Sequence, residues 1–190
     1  RVWNDDEIRP KTGFPPHPHA NMEIITYVRD GAISHRDSLG NKGRTVAGDV
    51  QVMSAGSGIR HAEYNQEDEL TRIFWIEPEQ AGGKPRWDAM SFPKDDRAGE
   101  LVVLASNDPE TYGGLLVRAD AKVMGATLKA GQSISYRPAQ GRHLYLATTR
   151  GRIEVNGEAV TPMELQQAVD TQRRQLIAMM GDNLDPAMLD

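Results

Sequence analysis

The sequence predicts an all-β protein built as two packed β-sandwich or barrel domains of jelly-roll type. Three observations point there. Glycine (18) and proline (11) are frequent and fall between short apolar runs. Those runs are rich in β-branched and aromatic residues, which suit a pleated surface. Asn156 and Gly157 stand between two alternating segments, the strongest short-range hairpin cue. A chain of 190 residues buries roughly 70% of its unfolded surface and needs no covalent staple. It has no cysteine to make one.

Residues 1–12 are polar and charged and are expected as an edge segment or loop. Phe14, Pro15 and Pro16 form a stiff lead-in, since proline fixes φ and removes a backbone donor. His17 and His19 are then presented on a constrained edge strand. Pro18 between them leaves the ladder one-sided, which suits the rim of a cavity. Residues 23–28 read as a strand, 29–32 as a turn, and a short strand follows to His35 and Arg36. Residues 37–43 form another turn. Val46, Ala47, Gly48 and Asp49 lead into a strand at 50–53. The glycines of the loop 54–58 let backbone approach a site closely. A strand at 59–63 follows, and the apolar strand 71–76 closes the set.

Residues 77–98 are rich in Pro, Gly and charge and read as a link between halves. The first domain is placed at 1–80, the linker at 81–98 and the second domain at 99–190. In the second domain, strands are expected at 101–105, 115–117, 123–128 and 144–147, with a hairpin at 152–160. That half has one histidine, His143, no His-x-His, and no expected metal. Residues 161–181 pull two ways. Thr161, Pro162 and Glu164 have the form of a helix start, and Leu165, Ala168, Val169, Leu176, Ile177 and Met180 fall near a helical stripe. The stretch 175–180 also reads as a sandwich strand, which the β context favours, so a C-terminal helix stands as the alternative.

Chemistry concentrates in the first half. Three of the five histidines fall into two short motifs, His17-x-His19 and His61-x-Glu63. In a strand, residues i and i+2 share a face, roughly 6–7 Å apart along the backbone. With the two strands side by side, His17, His19, His61 and Glu63 converge. Three imidazoles and a carboxylate suit a divalent transition metal such as iron, nickel, copper, manganese or zinc. One surface His-x-His is commonly a solvated pair; two such motifs set in Gly and Pro turns are not easily chance. His35 lacks a paired donor and is read as solvated or turn-packed. His143 is read as structural, Trp75 and Trp87 as core or interface aromatics, and Met53 as core. Net charge is −5 with no Lys/Arg block, which argues against direct nucleic-acid binding. No apolar run approaches the ~20 residues of a membrane span, and no signal segment opens the chain. A cytoplasmic location is expected.

The run from Gly13 to His19, the stretch 23–27, residues 35–41 and the long run from Gly48 to Glu63 resemble the pirin family of the cupin superfamily, with weaker similarity to about residue 160. The resemblance implies a bicupin with metal only in its N-terminal half. It carries the ligands onto His17, His19, His61 and Glu63. Glu23 matches the carboxylate of the general cupin pattern and stands as a rival ligand or as support behind the ligands, its strand parity pointing toward the site. Pirin-like chains have a segment before the position of Arg1 that adds strands to the first cupin, so those strands are expected to be lacking here.

The same resemblance implies a metal-dependent dioxygenase of the quercetin 2,3-dioxygenase kind, opening a flavonol with O₂. In that reading the metal is Fe(II), with Ni, Cu, Mn, Co or Zn as substitutes, and Glu63 is the catalytic base on the flavonol hydroxyl. The substrate is a small aromatic molecule together with O₂. The rival reading is a non-enzymatic module that senses metal and binds a protein partner.

Overall fold

The computed structural model describes residues 3–69, 71–76, 82–93 and 95–160, so the ambiguous stretch 161–181 lies outside it. The chain divides into two compact units, Arg1–Ser135 and Tyr136–Asp190.

The first unit begins with nine strands: β1 (Trp3–Ile8), β2 (Gly13–His19), β3 (Glu23–Asp30), β4 (Ala32–Asp37), β5 (Lys42–Val46), β6 (Val50–Ser54), β7 (Ile59–Tyr64), β8 (Thr71–Ile76) and β9 (Arg86–Met90). They form a five-stranded sheet of order β1-β8-β3-β6-β9 and a four-stranded sheet of order β2-β7-β4-β5. The described ladders between these nine strands are antiparallel. The sheets face each other across two apolar clusters. Ile8, Val28 and Ile33 fill one end, and Ile24, Met53, Ala55 and Ile59 fill the other. The polar site lies between.

The five-stranded sheet is covered on its second face as well. Val102–Ser106 (β10), a single helical turn at Pro109–Tyr112 (α1), Leu115–Leu116 (β11) and Lys122–Gly125 (β12) follow, with β10, β11 and β12 paired as a small sheet. Leu104, Leu115, Val117 and Val123 pack with Ile25, Tyr27, Val50 and Val52 in one buried cluster. Each such side chain removed from water contributes roughly 1.5–3 kcal/mol. This second layer explains why β3 and β6 are buried along both faces and show no alternation of apolar and polar residues. In the second unit, β13 (Ile153–Val155) and β14 (Glu158–Val160) form the hairpin expected at 152–160. Asn156 and Gly157 both have positive φ there, 51° and 89°, as a two-residue turn of this kind requires.

The all-β class expected from the sequence is therefore present. Two local expectations differ. The stretch 81–98 contributes β9, which extends the first sheet through its pairing with β6, and the short 3-10 turn Asp95–Arg97. Its Pro and Gly punctuation flanks a strand instead of replacing one. Residues 144–147 form no strand, and Leu144, Tyr145 and Leu146 are exposed. An apolar run becomes a strand only where a second strand takes up its backbone groups, and none of the described residues supplies one.

Candidate metal centre

The site is built on one face of the four-stranded sheet. In β7, His61 and Glu63 alternate inward while Arg60 and Tyr64 are exposed. On one side His17 of β2 lies directly opposite His61; on the other, His35 and Asp37 of β4 lie opposite Glu63 and His61. Directly opposite residues share a face, so all five point the same way.

The histidines of β2 reach that face through a bulge. The register runs Phe14↔Glu63 and then His17↔His61, three residues on β2 against two on β7. The extra residue falls at Pro15 and Pro16, which have no N–H to give the ladder. Strict alternation over these same residues, with no bulge, would send His17 and His19 outward. Close approach at the strand's start depends on Gly13, where a Cβ would stand 2.2 Å from the Glu63 carbonyl oxygen.

Three imidazoles meet. Ring centroids lie 4.5 Å apart for His17 and His61, 4.7 Å for His17 and His19, and 5.0 Å for His19 and His61. Nδ1 of His17 donates to the Pro15 carbonyl at 2.7 Å, which leaves Nε2 as a bare lone pair facing His61 Nε2 at 3.0 Å. Two ligands held at about 2.1 Å from one ion and at a right angle would be separated by about 3.0 Å. Burial and then its histidine neighbours depress the pKa of His61 to about 3, and burial followed by His17 lowers that of His19. Both stay neutral at physiological pH, as a metal ligand must. His19 Nε2 is buried without a hydrogen-bond partner.

Glu63 is wholly buried. Its Oε1 accepts from Gln51 Nε2 and from Thr26 Oγ1 at 3.5 Å, whereas Oε2 has no partner. Burial, only partly countered by these hydrogen bonds, lifts its pKa to about 7. The donors fall into two overlapping groups, His17–His19–His61 and His35–His61–Glu63, each with ligand atoms within 4.8 Å of one another. His61 belongs to both. The structure thus brings the three expected histidines together, and Glu63 adjoins them through His61.

His35 is not solvated. It is 3% exposed, stacks on Trp87 at 4.9 Å with 9° between the rings, and donates from Nε2 to Asp37 Oδ2 at 3.2 Å. Asp37 is fixed in turn by the Leu39 and Asn41 backbone N–H groups and by Asn41 Nδ2. Trp87 reaches His35 because Gly43, the ladder partner of His35, has no Cβ; one there would lie 2.3 Å from the indole. The spacing His35-x-Asp37 is the same i, i+2 signal that marks the other pairs. Glu23 corrects a second expectation. It shares a face of β3 with Ile25 and Tyr27, away from Thr26, and its Oε2 accepts from Ser54 Oγ at 2.7 Å and the Arg118 N–H at 3.0 Å. Both faces of β3 are buried, so no alternation tells which one meets the histidines. Met53 is buried core and His143 is exposed.

An open depression of about 470 Å³ adjoins the histidines, lined by His19, Pro18, Ala20, Ser38, Gly58 and Arg60 among others. Neutral His19 and His61, the His17 ring held by Pro15, an unpartnered Glu63 oxygen and the absence of thiolates together fit a divalent transition ion.

The pirin family model matches residues 1–76, and the model described as the quercetinase C-terminal cupin domain matches 103–177. A pirin-like protein of Caulobacter vibrioides is 65% identical over 159 residues, covering 83% of this chain and 68% of that one. A quercetin 2,3-dioxygenase of Escherichia coli K12 is 40% identical over 161 residues, with coverage of 83% and 68%. Among solved structures, YhhW from Escherichia coli superposes with a TM-score of 0.59 at 41% identity, over 65% of this chain and 53% of that one. The bacterial pirin YhhW in complex with nickel(II) gives 0.56 at 42%, over 64% and 52%. The chain spans about two thirds of these curated relatives and about half of the solved chains.

Proposed function

The chain belongs to the pirin family, and on that footing we propose that it is a metal-dependent dioxygenase that opens a flavonol-like aromatic ring with O₂. The observation that carries the reading is one sheet face holding three imidazoles beside a carboxylate with a free oxygen. A relative named quercetin 2,3-dioxygenase and a neighbour solved with nickel(II) support it.

His17, His19, His61 and Glu63 would hold the ion. Bound there, it would act as a Lewis acid that lowers the pKa of a substrate hydroxyl and offers a centre for O₂ chemistry. The chain's own residues do the rest. The Pro15 carbonyl keeps His17 in the tautomer that presents Nε2. Neutral His19 and His61 each keep one unprotonated ring nitrogen for the ion. The depression beside His19 admits a planar ring from solvent, with the apolar edges of Pro18 and Ala20 against it. Glu63 takes the hydroxyl proton. In the metal-free protein burial lifts its pKa to about 7, so this carboxylate is a stronger base than an exposed one.

The test is turnover of quercetin by metal-loaded protein with and without O₂. O₂-dependent loss of the flavonol absorption band is expected; equal traces under both conditions would overturn the reading. The Glu63→Gln variant should lose at least 10²-fold in kcat, the usual contribution of a general base.

A further inference from the structure

Glu63 can be held by either oxygen, yet its surroundings treat the two differently. Oε1 is contacted from strands of the opposite sheet, by Gln51 of β6 and Thr26 of β3, while Oε2 is buried with no partner. Gln51 is itself oriented. Its Oε1 accepts from Thr45 Oγ1 of β5 at 3.0 Å, which anchors the amide, and an ionised Glu63, which can only accept, sets Nε2 toward itself. An amide turned the other way would set two acceptor oxygens against each other. Thr26, Thr45, Gln51 and Glu63 are 0%, 2%, 2% and 1% exposed, so water does not substitute for any of these contacts. Behind Oε1 stands His35, its Nδ1 4.0 Å away and its ring clamped by Asp37 and Trp87.

We propose that Gln51, anchored by Thr45, is a positioning residue that occupies Oε1 and so commits Glu63 to bind the metal through Oε2 alone. A carboxylate free at both oxygens can chelate an ion with both, using a position that substrate or O₂ would need. Holding Oε1 keeps that position open. The inference rests on the reading of Glu63 as a ligand.

The test is the infrared difference between zinc-loaded and metal-free protein carrying ¹³C-labelled glutamate. Binding through one oxygen separates the antisymmetric and symmetric carboxylate stretches more widely than in a free carboxylate, and chelation by both narrows the separation. The wild type should show the wide pair, and Glu63→Gln should abolish it. Gln51→Leu should narrow it at unchanged zinc stoichiometry. Thr45→Val, nearly isosteric, should narrow it partway, and it carries the test alone should Gln51→Leu fail to fold. If Glu63→Gln leaves the bands in place, Glu63 is not a ligand and the functional reading falls with this one. If Glu63→Gln removes them while Gln51→Leu and Thr45→Val keep the wild-type separation, only the positioning role is overturned.

Discussion

Glu63 and His61 sit two residues apart, share one burial, and are moved in opposite senses by it. Burial holds the Glu63 proton up to about pH 7 and strips the His61 proton down to about pH 3. In metal-free protein the unfolded chain ionises Glu63 near its ordinary value, well below the folded one. The stabilisation from Glu63 is therefore full at low pH and drains away as pH rises through the folded value. A metal ion reverses the sign, because it needs the carboxylate. The melting temperature of metal-free wild type relative to Glu63→Gln should fall from about pH 5 to pH 7.5, and the increase on adding metal should grow over the same window. Calorimetry across that range checks this, and parallel curves for the two proteins would contradict it. Gln51 shows why this scale is only partly legible in sequence. A neutral amide inside an apolar strand carries no spacing signal, and its role appears only once Thr45 and Glu63 flank it. His35 carries a signal that its reading as solvated overlooks, since Asp37 stands at the same i+2 offset as the other pairs.

The strand β2 decides whether the site exists at all. Its histidine spacing was legible because strand parity is a local rule, but the bulge at Pro15 and Pro16 that brings both rings to the inner face was not. The prolines announced a stiff edge; register belongs to the pair of strands. Replacing Pro15 and Pro16 by valines, which restores the missing N–H groups at unchanged length, should favour simple alternation after Phe14 and turn His17 and His19 outward. Metal content by elemental analysis is expected to fall at least 10-fold, with the far-ultraviolet signature of strands retained; full metal occupancy would refute the register argument. Gly43 offers a second test. A methyl group there meets the Trp87 indole, so Gly43→Ala should displace Trp87 from His35 and cost about 1–3 kcal/mol by overpacking. Trp fluorescence and chemical denaturation read the two effects separately.

At the scale of the first unit, the five-stranded sheet is a wall between two differently composed spaces. One face carries the polar site among small apolar clusters; the other carries the cluster of Leu104, Leu115 and their neighbours. Short apolar runs and glycine turns reveal the all-β class, but not that β3 is buried on both sides, so strand parity does not place Glu23. Leu104→Ala should cost about 2–5 kcal/mol of stability while leaving metal stoichiometry unchanged at low temperature, since the lost volume lies across the wall from the histidines. Coupled loss of metal at temperatures where the variant is folded would show the two faces are not independent. The central claim is the meeting of His17, His19 and His61 around one ion, with Glu63 beside them. X-ray absorption spectroscopy of metal-loaded protein reads that directly. Three imidazole rings bound at about 2.0–2.1 Å, with one carboxylate oxygen, are expected; a shell of oxygen ligands without imidazole scattering would contradict the account.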